Sequence, residues 1–450
     1  MSRKKEKSLV MSLAELNRRQ FILKSLTAMG GLGLKSVLLN LPPAFLLRGA
    51  MASTSAKKLI FSHNRSGDPL NGNTPGSYPN VPLNVVRHPV SGTHASSFVK
   101  TAIQLGPQSY DGAQVWGTLS SDIRDQMHFF RAPTLENNHT KGVYVMSVRN
   151  ALKNKEGRSY EIFPSVVSYE NAAALGIENP KPMGFGGVLE YENVEEAPIK
   201  PKALKELFQS YTNATESVMK QARDTAIDAL YSALKSKGTL AQRKYLDNHA
   251  ISRNQAAIYA TQLSSYLTSV TNNSTINIIR AAVALLKINA TAAVRLSFAF
   301  GGDNHSDADL EFEAEQTVNG VADIQDLWDE VKSLGLENDT IFMINNVFGR
   351  TLEPRGPGRG RDHNTWDNVA IVLGPGVKPG VTGGLDPNPE FPYQRAAAFN
   401  SVNGTLTNPD VPPSLAHASL VKSVLKICGV PEARIEKRIK SGIYVPNLIA

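Results

Sequence analysis

Three polar clusters in the last third of the chain hold residue types that bind divalent metals and anionic oxygens. They are Gly301-Gly302-Asp303-Asn304-His305, Phe348-Gly349-Arg350-Thr351 and Gly360-Arg361-Asp362-His363-Asn364. Imidazole nitrogen and carboxylate oxygen together suit zinc, manganese or iron. A guanidinium presents a planar fork to a phosphate- or sulfate-type oxyanion. Asp303 and His305 stand two apart on a Gly-Gly turn, so both side chains can meet one cation with little chain entropy to lose. The competing reading is a helix start, with Asp303 or Ser306 as N-cap and His305 merely exposed. His363 follows the basic run from Arg355 to Arg361, where it can complete a coordination shell while Arg359 or Arg361 meets an anion. A solvated loop ahead of a strand is the alternative there. Arg350 stands just past an apolar run, where an unpaired guanidinium is expensive, so it either pairs with a carboxylate such as Asp303 or binds substrate.

Two weaker clusters lie earlier. Asp68, in Ser66-Gly67-Asp68-Pro69, offers a further carboxylate ligand, and Asn137-Asn138-His139-Thr140 offers His139 or Thr140 as nucleophile or ligand. Both sequences also make ordinary turns. Histidines 63, 88, 94, 128, 249 and 417 read as structural. The single cysteine, Cys428, excludes an internal disulfide and a thiolate zinc cage.

The elements that must position these residues follow from apolar patterning. Short strands are expected at Lys58 to Ser62, Met127 to Arg131, Val143 to Val148 and Ile162 to Ser168, in sequence rich in Gly, Pro and Asn. Residues 202–293 keep helical spacing, with Thr239 and Thr275 as N-caps. Thereafter strand and helix alternate. Val294 to Phe300 reads as a strand buried on both faces, and Ile324, Leu327, Trp328 and Val331 line one side of a helix. Thr340 to Val347 and Asn368 to Leu373 read as strands, and Ser414 caps a closing helix through Leu425. The pattern predicts an α/β fold, a mostly parallel sheet covered by helices on both faces, interrupted by a helical insertion. Ligands in such sheets bind beyond the carboxyl ends of the strands. Asp303, His305 and Arg350 fall on that edge.

Charge locates a leader. Of the 48 basic and 40 acidic residues, nine and two fall in residues 1–52, so the +8 of the whole chain leaves only +1 for residues 53–450. With no basic stripe interleaved with aromatics, nucleic acid is not an expected partner. Residues 1–52 contain a charged stretch, a Leu-, Ala- and Gly-rich core and Ala50-Met51-Ala52 as a small-x-small cleavage site. At the junction, Arg18-Arg19-Gln20-Phe21-Ile22 is similar to a twin-arginine signal. This implies a folded cargo delivered by the twin-arginine export machinery to the periplasm or beyond. Lys35, Pro42 and Pro43 break the apolar run before it reaches about 20 residues, so no transmembrane anchor is expected in the mature chain.

In order along the chain, the leader, the Gly-x-Asp-x-His turn, Phe348-Gly349-Arg350-Thr351 and Gly360-Arg361-Asp362-His363 resemble an exported bacterial family. It is catalogued as domain of unknown function fifteen-oh-one, within the alkaline phosphatase and sulfatase superfamily. The resemblance implies an alkaline-phosphatase-like domain over residues 53–450, in which side chains at strand ends hold divalent metal, whether zinc, manganese, calcium or iron. Carried over by position, Asp303, His305 and His363 form the shell of one metal, and Asp68 joins from the first strand end. Thr140 is the candidate nucleophile, Arg350 and Arg361 meet the anion, and His139, Asp362 and Asn346 stand behind the ligands. The chain departs from the family where members carry Glu directly before Phe-Gly-Arg: here Val347 follows Asn345 and Asn346. Valine cannot bind metal and neutral amides bind transition metals weakly, so one ion is expected rather than two. Asn364 replaces the usual aromatic, and Asn64-Arg65-Ser66 replaces a Gly-rich turn.

Two functions are consistent with these residues. One is a metal-dependent hydrolase acting on a small phosphate or sulfate ester. The other is a catalytically degenerate relative that binds or assembles an envelope polymer or partner. A purely structural envelope protein explains neither Asp-His cluster.

Overall fold

The computed structural model describes residues 56–77, 92–148, 152, 161–177, 181–185, 189–191, 194–209, 214–240, 243, 262–356, 358–387 and 394–450. The expected leader at 1–52, His88 and His249 lie outside the described residues.

A seven-stranded sheet organises the chain, in the order Gly380–Thr382, Met127–Arg131, Val369–Leu373, Thr340–Asn346, Lys58–Asn64, Ala293–Leu296, Met183–Gly184. Its neighbours pair in parallel except at Val369–Leu373, which runs antiparallel to both of its partners. The sheet is thus mostly parallel, as expected, with one antiparallel strand whose direction the sequence did not specify. After Thr340–Asn346 the chain does not cross over through a helix. It forms an antiparallel hairpin, Gly349–Pro354 with Arg361–Asn364, and re-enters the sheet from the edge it left.

The central strands are buried on both faces, as continuous apolar runs require. Leu59, Phe61, Ile341, Met343, Ala370 and Val372 enter one core, which the helices Phe163–Asn171 and Pro413–Ile427 cover. Ile60, Leu296, Phe342, Ile344 and Ile371 enter the other, beneath Thr275–Lys287 and Glu311–Ser333. Each fully buried Leu, Ile or Phe among them contributes about 1.5–3 kcal/mol.

Two expected strands are helices: Gly142–Met146 and Phe163–Asn171 stand where Val143 to Val148 and Ile162 to Ser168 were read as extended. A short apolar run has no period that separates strand from buried helix. Pro164 in the first turn favours helix, since its missing N–H has no partner to lose there. The strand expected to reach Phe300 ends at Leu296, because Phe298 N–H donates to Ser62 Oγ and Phe300 N–H to Asp68 rather than to a neighbouring strand. Ser414 lies inside the first turn of the closing helix behind Pro412 and Pro413, and Ser274, not Thr275, holds its helix's cap position. Within the stretch read as helical, Pro201–Gln209, Ala214–Lys237 and Thr275–Lys287 are helices. Among the described residues no helix is long and apolar enough to cross a membrane.

Candidate metal centre

Above the carboxyl ends of the central strands, His139, Asp303, His305 and His363 converge, each offering one ligand atom, all within 4.8 Å of one another. Asp303 and His305 come from the turn after Ala293–Leu296. His363 comes from the hairpin strand Arg361–Asn364, and His139 from a 3-10 turn, His139–Lys141. His305 Nε2 lies 3.0 Å from His363 Nε2 and 3.3 Å from Asp303 Oδ1, while His139 Nε2 is 3.7 Å from Asp303 Oδ2.

Outer hydrogen bonds turn the ring nitrogens inward. His139 Nδ1 donates to the Arg65 carbonyl at 2.9 Å, and His363 Nδ1 to Asn137 Oδ1 at 3.0 Å. Carbonyl oxygens only accept, so both Nδ1 atoms carry hydrogen and both Nε2 atoms face the cluster. Burial pushes the His363 imidazole down to about 4, with Arg350 the next cause, so at neutral pH it is unprotonated and able to ligate. His305 Nδ1 is buried without a hydrogen-bond partner among the described residues, and Asp362 Oδ1 stands 3.9 Å away.

Arg350 forms the floor. Its side chain is fully buried and donates to the carbonyls of Ser66 at 2.5 Å and Gly67 at 3.2 Å. It also reaches Asp303 Oδ1 at 3.2 Å and His305 Nε2 at 3.3 Å. Phe348 supplies an apolar support: its ring stacks on His363 at 4.0 Å between centroids and meets His139 edge-on at 5.0 Å. Gly67 is needed here, since a Cβ would fall 2.3 Å from the Phe348 ring and the residue has φ +72°.

The other residues singled out from sequence lie apart from the four ligand atoms. Asp68 is fully buried and accepts from the backbone N–H of Gly302 at 2.8 Å, from Phe300 at 3.2 Å and from Asn64 Nδ2 at 2.9 Å. It therefore holds the Gly301-Gly302 turn in place, and burial raises its carboxyl to about 6. Thr140 is exposed, its hydroxyl donating to Asn138 Oδ1 at 2.9 Å. Asn346 is buried with neither side-chain polar atom hydrogen-bonded among the described residues. Val347, also buried, packs with Val145 and Phe348. Asp362 pairs with Arg355. Arg361, expected beside the anion, is buried against Glu313 at 2.7 Å and donates to the carbonyls of Thr351 and Leu352. Among the histidines read as structural, His63 and His128 are buried, while His94 lies 3.1 Å from Glu311.

The donor set fits a divalent transition ion. Tetrahedral zinc holds nitrogen and oxygen ligands at about 2.0–2.2 Å, which puts them roughly 3.3 Å from each other. Three of the observed separations, 3.0, 3.3 and 3.7 Å, lie near that value, and the four atoms together lie within 4.8 Å of one another. Three imidazole nitrogens and one carboxylate oxygen also match the borderline-soft preference of such ions. Of the two places that the sequence offered His139, as a ligand or behind the ligands, the structure supports the first, its Nε2 facing Asp303 within the group of four. Glu313 and Phe348 gave no signal beyond an acid in a helical pattern and an aromatic after a strand.

Residues 292–425 match the family described as "Protein of unknown function (DUF1501)". That segment contains Asp303, His305, Arg350 and His363 but neither Asp68 nor His139. No curated protein matches this chain. A solved structure titled "Structure of PH0037 protein from Pyrococcus horikoshii" aligns over 84% of this chain and 98% of its own. Its identity is 13% and its TM-score 0.23, a likeness too low to carry an argument.

Proposed function

We propose that this protein is a metal-dependent hydrolase of phosphate or sulfate esters with a single divalent ion, on an alkaline-phosphatase-like fold. The observation that carries the reading is the convergence of His139, Asp303, His305 and His363 within 4.8 Å, over the buried guanidinium of Arg350. An ion held there would act as a Lewis acid toward a phosphoryl or sulfuryl oxygen. Arg350 contributes fixed positive charge against the developing negative charge, and its carbonyl partners at Ser66 and Gly67 prevent it from swinging away. Phe348 excludes water from beneath His139 and His363. Thr140 lies one residue from His139, and it can serve as nucleophile once its hydroxyl leaves Asn138.

The test is ion content together with an ester panel, for the wild type and for Asp303→Ala and His305→Ala. The reading requires about one tightly held ion per chain and an esterase activity that both substitutions abolish. An ion-free wild type, with activity indifferent to Asp303→Ala, sinks it.

A second reading, a binding or assembly module that has lost chemistry, is favoured by one observation. Buried Val347 occupies the strand end where the resemblance calls for an acidic ligand. Ion binding without turnover of any ester is its expected outcome.

The Arg18-Arg19 leader supports export by the twin-arginine machinery to the periplasm or beyond. Arg18→Lys with Arg19→Lys should then leave unprocessed precursor in the cytoplasm, and unimpaired export would contradict it.

A further inference from the structure

Asp303 and His305 arrive on one segment and His363 on another, and a single buried carboxylate joins the two. Glu313, 1% exposed, accepts at Oε2 from Asn304 Nδ2 at 2.6 Å and from Arg361 Nε at 2.7 Å. Asn304 lies between the two ligands of the first segment, and Arg361 lies two residues before His363. The segments also touch through backbone, where Gly360 N–H donates to the His305 carbonyl at 2.9 Å. A Cβ on Gly360 would fall 1.7 Å from the Asn304 carbonyl, so the approach is as close as glycine permits. Glu313 is itself anchored in the first turn of Glu311–Ser333, its N–H donating to Asp307 Oδ2 at 2.8 Å.

We propose that Glu313 is a positioning residue for the metal centre: its two hydrogen bonds fix the Asp303–His305 turn against His363, so the ligand atoms stand in coordination range only while both bonds are made. This rests on the metal reading above. Partners behind metal ligands are worth about 10–100-fold in affinity when removed. The claim concerns reach more than charge. Glu313→Asp keeps the charge but withdraws the oxygen by one methylene, whereas Glu313→Gln keeps an oxygen in place and loses the charge.

Cobalt(II) titration of the metal-free full chain, followed by visible absorption, is the experiment, with amide exchange at Gly360 read in the same proteins. Glu313→Asp should weaken cobalt binding about 10–100-fold and alter the band shape, and Glu313→Gln should lie nearer the wild type. Asn304→Ala, which leaves the Glu313 and Arg361 pair intact, should behave like Glu313→Asp and covers the case in which that variant does not fold. Wild-type affinity and spectrum in both Glu313→Asp and Asn304→Ala overturn the proposal while leaving the metal reading standing. If the wild type itself takes up no cobalt, the metal reading falls, and Gly360 exchange decides the link alone. Unchanged protection in Asn304→Ala then refutes it, and faster exchange upholds Glu313 as the tie between the segments.

Discussion

His305 Nε2 and His363 Nε2 face each other across 3.0 Å. Two ring nitrogens at that separation require either a shared hydrogen or a cation where both lone pairs point. Because His363 already donates through Nδ1 to Asn137, its inward nitrogen accepts, and it can take either a hydrogen from His305 or a bond to a cation. His305→Ala and His363→Ala should each weaken zinc binding by at least about tenfold. Asp68→Asn should keep one ion per chain while lowering Tm, because Asp68 holds the turn and not the ion. Isothermal titration and thermal melts of the three variants check this, and loss of the ion in Asp68→Asn would contradict it, whether through a lost ligand or a displaced Gly301-Gly302 turn.

Arg350 is the next test, since it combines burial with a direct reach into the cluster. Arg350→Ala strands the carbonyls of Ser66 and Gly67 and removes the partner of the half-exposed Asp303, a loss of about 1–3 kcal/mol from the unsatisfied carbonyls. Sulfate or phosphate should raise the Tm of the wild type, and Arg350→Lys, which keeps charge but lacks the fork, should fold without that increase. Urea unfolding and melts with added anion measure the two effects separately.

Position 347 separates lost chemistry from absent chemistry. Val347 packs against Val145 and Phe348, so Val347→Glu buries a carboxyl and should cost about 2–5 kcal/mol without metal. If the strand end still presents a ligand position, added zinc restores much of that stability in the variant beyond its effect on the wild type. Equal zinc responses would show that the position no longer faces an ion.

Stability should fall in acid partly through His128. Its Nδ1 bonds the Lys378 carbonyl and its Nε2 meets Thr382 Oγ1, and burial lowers its pKa from 6.5 to about 4. The unfolded chain therefore binds more protons between those values, so this contribution is complete above pH 6.5 and is lost as pH falls toward 4. The shift corresponds to about 3 kcal/mol. Asp68, raised to about 6, acts in the opposite sense over part of that window, gaining stability as pH falls. The difference between wild type and His128→Gln isolates the histidine. It should shrink by about 3 kcal/mol from pH 7 to pH 4 in urea titrations, and a pH-independent difference would exclude a buried neutral His128.

Sequence patterning located the strands at Lys58, Met127 and Thr340 because buried strands are continuous apolar runs bounded by turn residues. It read Val143 to Val148 the same way, and there helix won, since a run of that length has no distinguishing period. The antiparallel course of Val369–Leu373 depends on the hairpin before it, which looked in sequence like a basic loop. At the site, Asp303, His305 and His363 were visible as spaced ligand types on a sheet edge. His139 was visible as a weaker candidate in a turn-forming segment, and only the fold, which places its 3-10 turn beside Asp303, brings it into the cluster. Glu313 was invisible, since one acid in an amphipathic helix resembles any solvated one until Asn304 and Arg361 are seen to meet it.

Metal content and cobalt spectroscopy of the purified chain test the central claim most directly. The account predicts about one divalent ion per chain, and in the cobalt form an intense tetrahedral-type visible band that vanishes in His305→Ala. Less than about a tenth of an ion per chain after metal supplementation, or a weak octahedral spectrum unaffected by His305→Ala, would contradict it.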